Sequence, residues 1–169
     1  RFGDWTLAIW EGLAGHHQSV LALMDPYLGE ISDGTSAAFQ VGPVVSGYAL
    51  ALTAVGREAD AAAVVAAMKG FISSLSKAGW TDAALGERRA RVAIIEGNDE
   101  NILKNLEIGL AGGALNIPDL LDPNLAHLYG DPRFRALADA LLAHVNEERI
   151  KLGLGPTDTK DLPWEKTGE

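Results

Sequence analysis

Cysteine is missing from all 169 residues of this chain, which excludes disulfide bonds and metal sites built on thiolates. Positive charge is scarce as well, because 14 lysine and arginine residues stand against 23 aspartate and glutamate residues, for a formal net charge of −9. Nucleic acids and anionic lipid surfaces are bound through basic protein surfaces, so we expect neither as a partner. There is also no run of about 18 apolar residues, and we therefore expect no direct membrane insertion.

What the chain does contain is ordinary for a folded protein. Hydrophobic residues make up 47% and charged residues 22%, which places the chain among globular domains rather than disordered ones. The chain begins with Arg1 and no signal peptide precedes the first helical pattern, so we expect it to be an excised or processed part of a longer protein. Composition leaves the compartment open between cytoplasm and periplasm, and it leaves the oligomeric state open.

Three glycines recur at two equal steps of 41 residues, at Gly15, Gly56 and Gly97. Each lies between two stretches with apolar residues at helical spacing, and self-similarity at about 20 to 50 residues is typical of repeat architectures. We therefore predict an all-α fold, a right-handed stack of about three antiparallel helical hairpins closed by a C-terminal capping helix. The predicted ranges are 4–28, 43–78 and 82–112 for the hairpins, 118–153 for the capping segment, 1–154 for the repeat domain and 155–169 for an extended or mobile tail.

The three hairpins resemble the tetratricopeptide family, whose repeats carry one small residue within the first helix and another early in the second. Ala8, Ala49 and Ala90 occupy the first of these positions, each seven residues before its turn glycine. The second position holds Val20, Ala61 and Ile102, so only the middle repeat keeps a small residue there. The period exceeds the usual length of about 34 residues, and the excess lies in the connectors. The resemblance implies a concave face, lined by the first helices, that holds a peptide or partner segment.

The last third of the chain resembles the terminal segment of bacterial tetratricopeptide-type domains. The residues that carry this resemblance run from Asn116 to Leu121 and from Gly130 to Phe134, the latter reading GDPRF. Asp131 is a predicted N-cap and Pro132 a predicted first helical residue, which starts a long helix. Domains of this kind are often fused behind adenylate-cyclase-like, winged-helix regulator or other effector modules. The resemblance implies a larger bacterial-type protein.

Candidate binding residues follow from mapping the concave face relative to the turn glycines. Trp5 and Ile9 are predicted to anchor an apolar side chain, and Arg91 to hold a carboxylate. The alternative is that Trp5 and Leu50 belong to the core, while the arginines pair with Glu87 and Glu96. The predicted partner-binding residues are Trp5, Ile9, Ser46, Leu50, Glu87, Arg88 and Arg91, and Arg89 belongs to the same basic cluster.

No set of residues has the pattern of a catalytic, metal or cofactor site. His144 and Glu148 share one helical face but do not complete a metal site, and we interpret them as part of a solvated polar surface. Asp122 and Asp131 each precede a proline and are better explained as helix caps than as paired acid–base carboxylates. The Ser46-Gly47 pair lacks the flanking glycines of a nucleophile elbow, and residues 112–113 lack the lysine of a phosphate-binding loop. We therefore expect no enzyme activity, no metal and no cofactor.

These observations favour a protein–protein interaction, sensory or scaffold module that binds a protein or peptide partner. One alternative is a helical accessory part of an enzyme or regulator whose catalytic or DNA-binding module lies upstream. Another is a domain that binds a small ligand between the hairpins and the tail, with Trp80 or Trp164 contributing to the site.

Overall fold

The computed structural model describes residues 2–40, 43–160 and 162–164, and all regular secondary structure in these residues is helical. The prediction of an all-α chain is confirmed. The α-helices are α1 (Phe2–Leu13), α2 (His17–Met24), α3 (Leu28–Ser32), α4 (Pro43–Ala54), α5 (Glu58–Lys77), α6 (Asp82–Ile95), α7 (Asp99–Ala111), α8 (Ile117–Leu120) and α9 (Pro132–Lys151). Single 3₁₀ turns occur at Asp25–Tyr27, Ala37–Gln40 and Pro123–Leu128.

The three periodic glycines share one local geometry. Gly15, Gly56 and Gly97 have φ values of 75°, 78° and 63°, in the left-handed region where a side chain is disfavoured. At Gly56 the glycine N–H donates to Thr53 O at 3.0 Å, and the next N–H, that of Arg57, donates to Leu52 O at 2.9 Å. This pair of bonds is the Schellman motif, and it recurs with the same spacing at the other two glycines. A new helix begins two residues after each glycine, so the 41-residue period corresponds to a repeated helix–turn–helix.

The described residues divide into two compact units. The first comprises the residues up to Thr81 together with Arg91–Asn98, and the second comprises Asp82–Ala90 together with the residues from Asp99 onward. Helix α6 is thus divided: residues Asp82–Ala90 belong to the second unit, and the rest of the helix belongs to the first. The six positions that carry the tetratricopeptide resemblance are all buried, which is consistent with close helix packing at these sites: Ala8, Val20, Ala49, Ala61, Ala90 and Ile102.

In the first unit, α1 packs on α2, and both helices contact α4. Helix α5 packs on α4 and on α3. The rings of Phe39 and Phe71 stack at 5.2 Å and join the 3₁₀ turn before α4 to the middle of α5. The fully buried side chains of this unit form its core: Val20, Met24, Ile31, Val44, Tyr48, Leu52 and Val64.

Helix α5 has 20 residues and a most apolar window of mean hydropathy 1.2, which by length and composition alone would suffice to cross a membrane. One side of it, with Ala61, Val64, Met68 and Ile72, is buried in the first unit. Only 17% of that window is buried within the described structure, so burial does not account for its apolar composition. The expectation of no membrane insertion therefore stays a prediction.

In the second unit, α9 packs on α7 and α8. The backbones of α6 and α7 approach closely, because a Cβ added to Gly86 would lie 2.4 Å from Gly109 N. Within the segment predicted as a tail, residues 155–160 form no helix, but Trp164 is fully buried with its ring 6.1 Å from Phe134 and 6.0 Å from Tyr129. Two hydrogen bonds hold this segment along α9: Arg149 Nε donates to Gly155 O at 2.7 Å, and Thr157 N donates to Asn146 Oδ1 at 2.8 Å. Residues 161 and 165–169 of the predicted tail lie outside the described residues.

Candidate partner-binding surfaces

The predicted binding residues on α1 and α4 divide between the interior of the first unit and its surface. Trp5 is buried and meets the ring of Tyr27 edge-on at 6.3 Å, and Ser46 is buried with its hydroxyl donating to Pro43 O at 3.0 Å. Ile9 and Leu50 are half-buried at equivalent positions on α1 and α4, two helices that contact each other. Only Ile9 and Leu50 of these four therefore offer side-chain surface to a partner.

The remaining three predicted residues lie on α6. Glu87 and Arg88 are half-buried, Arg91 is buried, and each of the three is engaged in contacts within the structure. Arg89, from the same basic cluster, pairs with Asp82 at 2.8 Å. Glu96, the alternative partner for the arginines, accepts a hydrogen bond from Lys69 Nζ at 2.5 Å. The residues of this basic cluster therefore already interact with other residues of the chain.

A groove that the sequence pattern did not reveal lies in the second unit, between the end of α7, the segment that follows it, and the middle of α9. Its volume is about 800 Å³. Gly113, with φ of 68°, ends α7 and turns the chain along one edge of the groove. Apart from the side chains of Asn116 and His144, the lining is aliphatic or glycine: Leu110, Ala111, Gly113, Leu115, Ile117, Pro118, Ala140, Leu141 and Val145.

Charged and capping contacts hold the start of α9, the helix whose middle forms one wall of this groove. Asp131 caps the helix, because its Oδ1 accepts from Arg133 N at 2.7 Å and from Phe134 N at 3.4 Å. The guanidinium of Arg133 donates to Glu100 at 2.7 Å and to Glu107 at 3.2 Å, which ties the start of α9 to α7. These hydrogen bonds raise the pKa of Arg133. The groove lies farther along both helices, beside Leu110 and Ala111 of α7 and residues 140–145 of α9.

The acidic residues considered for chemistry have structural partners. Asp122 Oδ1 accepts from the backbone and side-chain nitrogens of Asn124, and Asp119 Oδ2 accepts from Asn116 N at 2.9 Å. The predicted capping roles of Asp122 and Asp131 are confirmed. Glu148 pairs with Lys151 at 2.5 Å, and this hydrogen bond lowers the pKa of the Glu148 carboxyl. Among the described residues, no three of His, Asp and Glu come together as metal ligands.

A second feature missed in the sequence is a charged cluster at the turn between α4 and α5. Arg57 Nη1 donates to both carboxylate oxygens of Asp25 at 2.8 Å, and its Nε donates to Asp60 at 2.8 Å. The buried Tyr48 completes the cluster by donating its hydroxyl to Asp25 Oδ1 at 2.7 Å. Burial, and secondly this hydrogen bond, raise the pKa of Tyr48. The cluster joins the end of the first hairpin to the turn of the second, and its hydrogen bonds hold these two segments together.

A scan against protein-family models and searches among curated proteins and solved structures returned no match to this chain. Function is therefore inferred from the surfaces described above.

Proposed function

We propose that this chain is a non-catalytic interaction module that binds a segment of a protein partner in the groove between α7 and α9. The observation that carries this proposal is the groove itself, an open concavity of about 800 Å³ whose lining residues are mostly aliphatic. Partner segments commonly lay an apolar face in a hydrophobic groove, and ligand pockets of roughly 300 to 1,000 Å³ combine apolar walls with a few orienting polar groups. Asn116 and His144 would supply those polar groups here.

We also propose that the fold is a tetratricopeptide-like stack of helical hairpins. It would act as a sensory or scaffold module of a larger bacterial-type protein. Its support is the identical turn geometry at Gly15, Gly56 and Gly97 and the burial of the six positions that carry the resemblance. Helical repeats recognise extended or helical segments through grooves between their helices.

The test compares arginine substitutions at two exposed alanines of α9, one inside the groove and one outside it. Ala140 lines the groove, whereas Ala143, one turn later, is not among its lining residues. Peptides selected by display against the full chain are expected to bind Ala140→Arg at least tenfold more weakly, about 1.4 kcal/mol, because the arginine fills the groove. Ala143→Arg is the matched control and should bind like the parent chain. Equal affinities for the two variants would show that the peptides bind elsewhere.

The surface around Ile9 and Leu50 is a second place where such a segment could bind. Leu50→Glu puts a charge into this half-buried surface of the first unit and leaves the groove unchanged. If the selected peptides lose affinity for Leu50→Glu and keep it for Ala140→Arg, the binding site is the predicted surface on α1 and α4.

A small apolar ligand is the alternative occupant of the same groove, because the volume of the groove also suits a compact molecule. Native mass spectrometry of the purified chain would reveal a retained small molecule as an added mass. Loss of that mass in Ala140→Arg, together with failure to select any peptide, would favour this alternative. Trp164 is fully buried in the aromatic cluster and offers no surface to such a ligand, while Trp80 is exposed.

A further inference from the structure

The outer face of α1 is apolar, exposed and without formal charge. Trp10 and Leu7 are 65% and 48% exposed, and Leu13, Gly3 and Ala14 are exposed beside them. The two acidic residues of this helix, three residues before and four residues after Leu7, border this face and are engaged by other side chains. Asp4 accepts from the hydroxyl of Tyr27, and Glu11 pairs with His16 at 2.8 Å. In a chain of net charge −9, an uncharged helical face centred on an exposed tryptophan marks an interaction surface.

The 41-residue period indicates what such a face is built to contact. Adding 41 to the positions of Gly3, Leu7 and Trp10 gives Val44, Tyr48 and Ala51 on α4, which are 1%, 0% and 0% exposed. One further period takes Trp10 to Val92, which is also buried. These three positions of the face that α1 exposes are therefore buried at their equivalents on α4, whereas the equivalents of Leu13 and Ala14, which are Ala54 and Val55, are exposed.

The preceding hairpin covers part of this face on α4. Both α1 and α2 pack on α4. Tyr48, the equivalent of Leu7, donates its hydroxyl to Asp25 directly after α2. At Gly12 of α1, an added Cβ would lie 4.0 Å from the Cα of Gly47, so the two first helices approach closely. At α4, the element that packs on this side is thus a helical hairpin.

We propose that the outer face of α1 binds a helical hairpin whose contact surface is apolar and uncharged, docked as α1 and α2 dock on α4. A second copy meeting this face through its own α1 fits less well. A helix of 12 residues is only about 18 Å long, and one such crossing buries much less than the roughly 1,600 Å² of a stable interface. A hairpin contacts the face with two helices. Terminal repeats that face solvent carry a polar outer surface, which α1 lacks.

The test supplies a hairpin of known sequence to the full chain. Residues 1–41 are duplicated in front of Arg1, so that the added turn glycine stands 41 residues before Gly15. Lysine replaces Leu7 and Trp10 of the duplicate only, which gives the added hairpin a polar outer surface. Because the chain has no cysteine, Leu7→Cys in the original α1 is then the only thiol, and its reaction rate with a thiol reagent reports exposure of the face.

Docking is expected to slow labelling of Leu7→Cys at least about tenfold relative to the chain without the duplicate. Ala63→Cys, on the exposed side of α5, is the control and should react at the same rate in both chains. Trp10→Glu in the original α1 should restore fast labelling in the extended chain, whereas Trp80→Glu, at another exposed tryptophan, should not. An unchanged rate at Leu7→Cys, whether or not circular dichroism shows added helix, would overturn the proposal.

Two measurements on the chain without the duplicate complete the test. Trp10→Gln should leave Tm within about 2 °C, because a docking residue contributes little to the chain's own packing. A large fall in Tm would assign Trp10 to internal packing instead. Sedimentation equilibrium is expected to give the same mass for the parent chain and Trp10→Glu. A dimer that Trp10→Glu dissociates would make the occupant a second copy and overturn the assignment to a hairpin.

Discussion

Gly86 lacks a side chain at a point where two helices of the second unit approach closely. An added Cβ would lie 2.4 Å from Gly109 N and 2.7 Å from Asn105 O, and both of these are backbone atoms that cannot rotate away. The helices α6 and α7 therefore approach at this point only because the residue is glycine. The tetratricopeptide resemblance placed the small residue of α6 at Ala90, one turn away, so the close contact was not predicted.

We expect Gly86→Ala to lower the free energy of unfolding by about 1 to 3 kcal/mol, because the helices must separate to admit the methyl group. Gly70→Ala is the matched control, since Gly70 lies within α5 and its Cβ would have no neighbour within 4 Å. That change should stabilise the chain by about 0.5 to 1 kcal/mol through helix propensity. Urea denaturation of the two variants checks both signs, and a Gly86→Ala variant as stable as the parent would contradict the close approach.

Tyr48 predicts an alkaline loss of stability. Its pKa in the folded chain is raised above 10.0, so between pH 10 and the folded pKa the unfolded chain has released a proton that the folded chain retains. The contribution of Tyr48 to stability is therefore fully present below pH 10 and decreases as the pH rises from there. Tyr48→Phe should cost about 1 kcal/mol at neutral pH by removing the hydrogen bond to Asp25.

The measurement is urea denaturation of the parent chain and Tyr48→Phe at about pH 8 and about pH 11. The stability difference between them should shrink at the higher pH, because only the parent chain loses this contribution. Tyr129 has a raised pKa through burial and is present in both chains, so the comparison cancels its effect. A stability difference that is independent of pH would exclude Tyr48 as the source.

At the scale of elements, the turns between helices are local structures. Gly56 adopts φ of 78°, and its N–H and that of Arg57 satisfy the last carbonyls of α4 without help from the rest of the chain. A glycine between two stretches of helical spacing predicts such a turn, and the helix bounds found here follow the glycines closely. The start of α9 at Pro132 was predictable for the same reason, since an aspartate before a proline caps its own helix.

Gly56→Ala is expected to lower the free energy of unfolding by about 1 kcal/mol, because alanine is strained at positive φ although space for its methyl group is available. Gly47→Ala in the neighbouring helix α4 also has space for its methyl group and lacks the positive φ, so it should not destabilise the chain. Thermal unfolding followed by circular dichroism compares the two. Equal effects would show that the left-handed turn is not the cause.

At the scale of the whole molecule, Trp164 anchors the last residues that the structure describes. The polar composition after Gly155 favoured an extended or mobile tail, yet Trp164 completes an aromatic cluster with Tyr129 and Phe134. A single tryptophan in a polar segment carries no periodic signal, so the sequence pattern did not reveal that it is buried. Its burial places Trp164 itself in the core of the second unit.

Trp164→Ala should lower the free energy of unfolding by about 3 to 5 kcal/mol, the cost of a large cavity, which is a large fraction of the stability of a typical domain. Trp80→Ala is the control, because the side chain of Trp80 is 46% exposed. It should change stability by less than about 0.5 kcal/mol. Urea denaturation gives both values, and hydrogen exchange should show the loss of protection in α9 for Trp164→Ala alone.

The sequence by itself determined the helical class, the ends of the principal helices and the 41-residue recurrence of the turns. These features depend on interactions between residues close in the chain: N-caps, prolines in first turns and glycines at positive φ. Only the tertiary structure decided which faces are buried, which side chains line the groove between α7 and α9, and that Trp5, Ser46 and Arg91 lie inside rather than on a binding surface. The physical reason is that burial depends on contacts between residues far apart in sequence, and a helical pattern with apolar residues on more than one side does not specify which side a neighbour will cover.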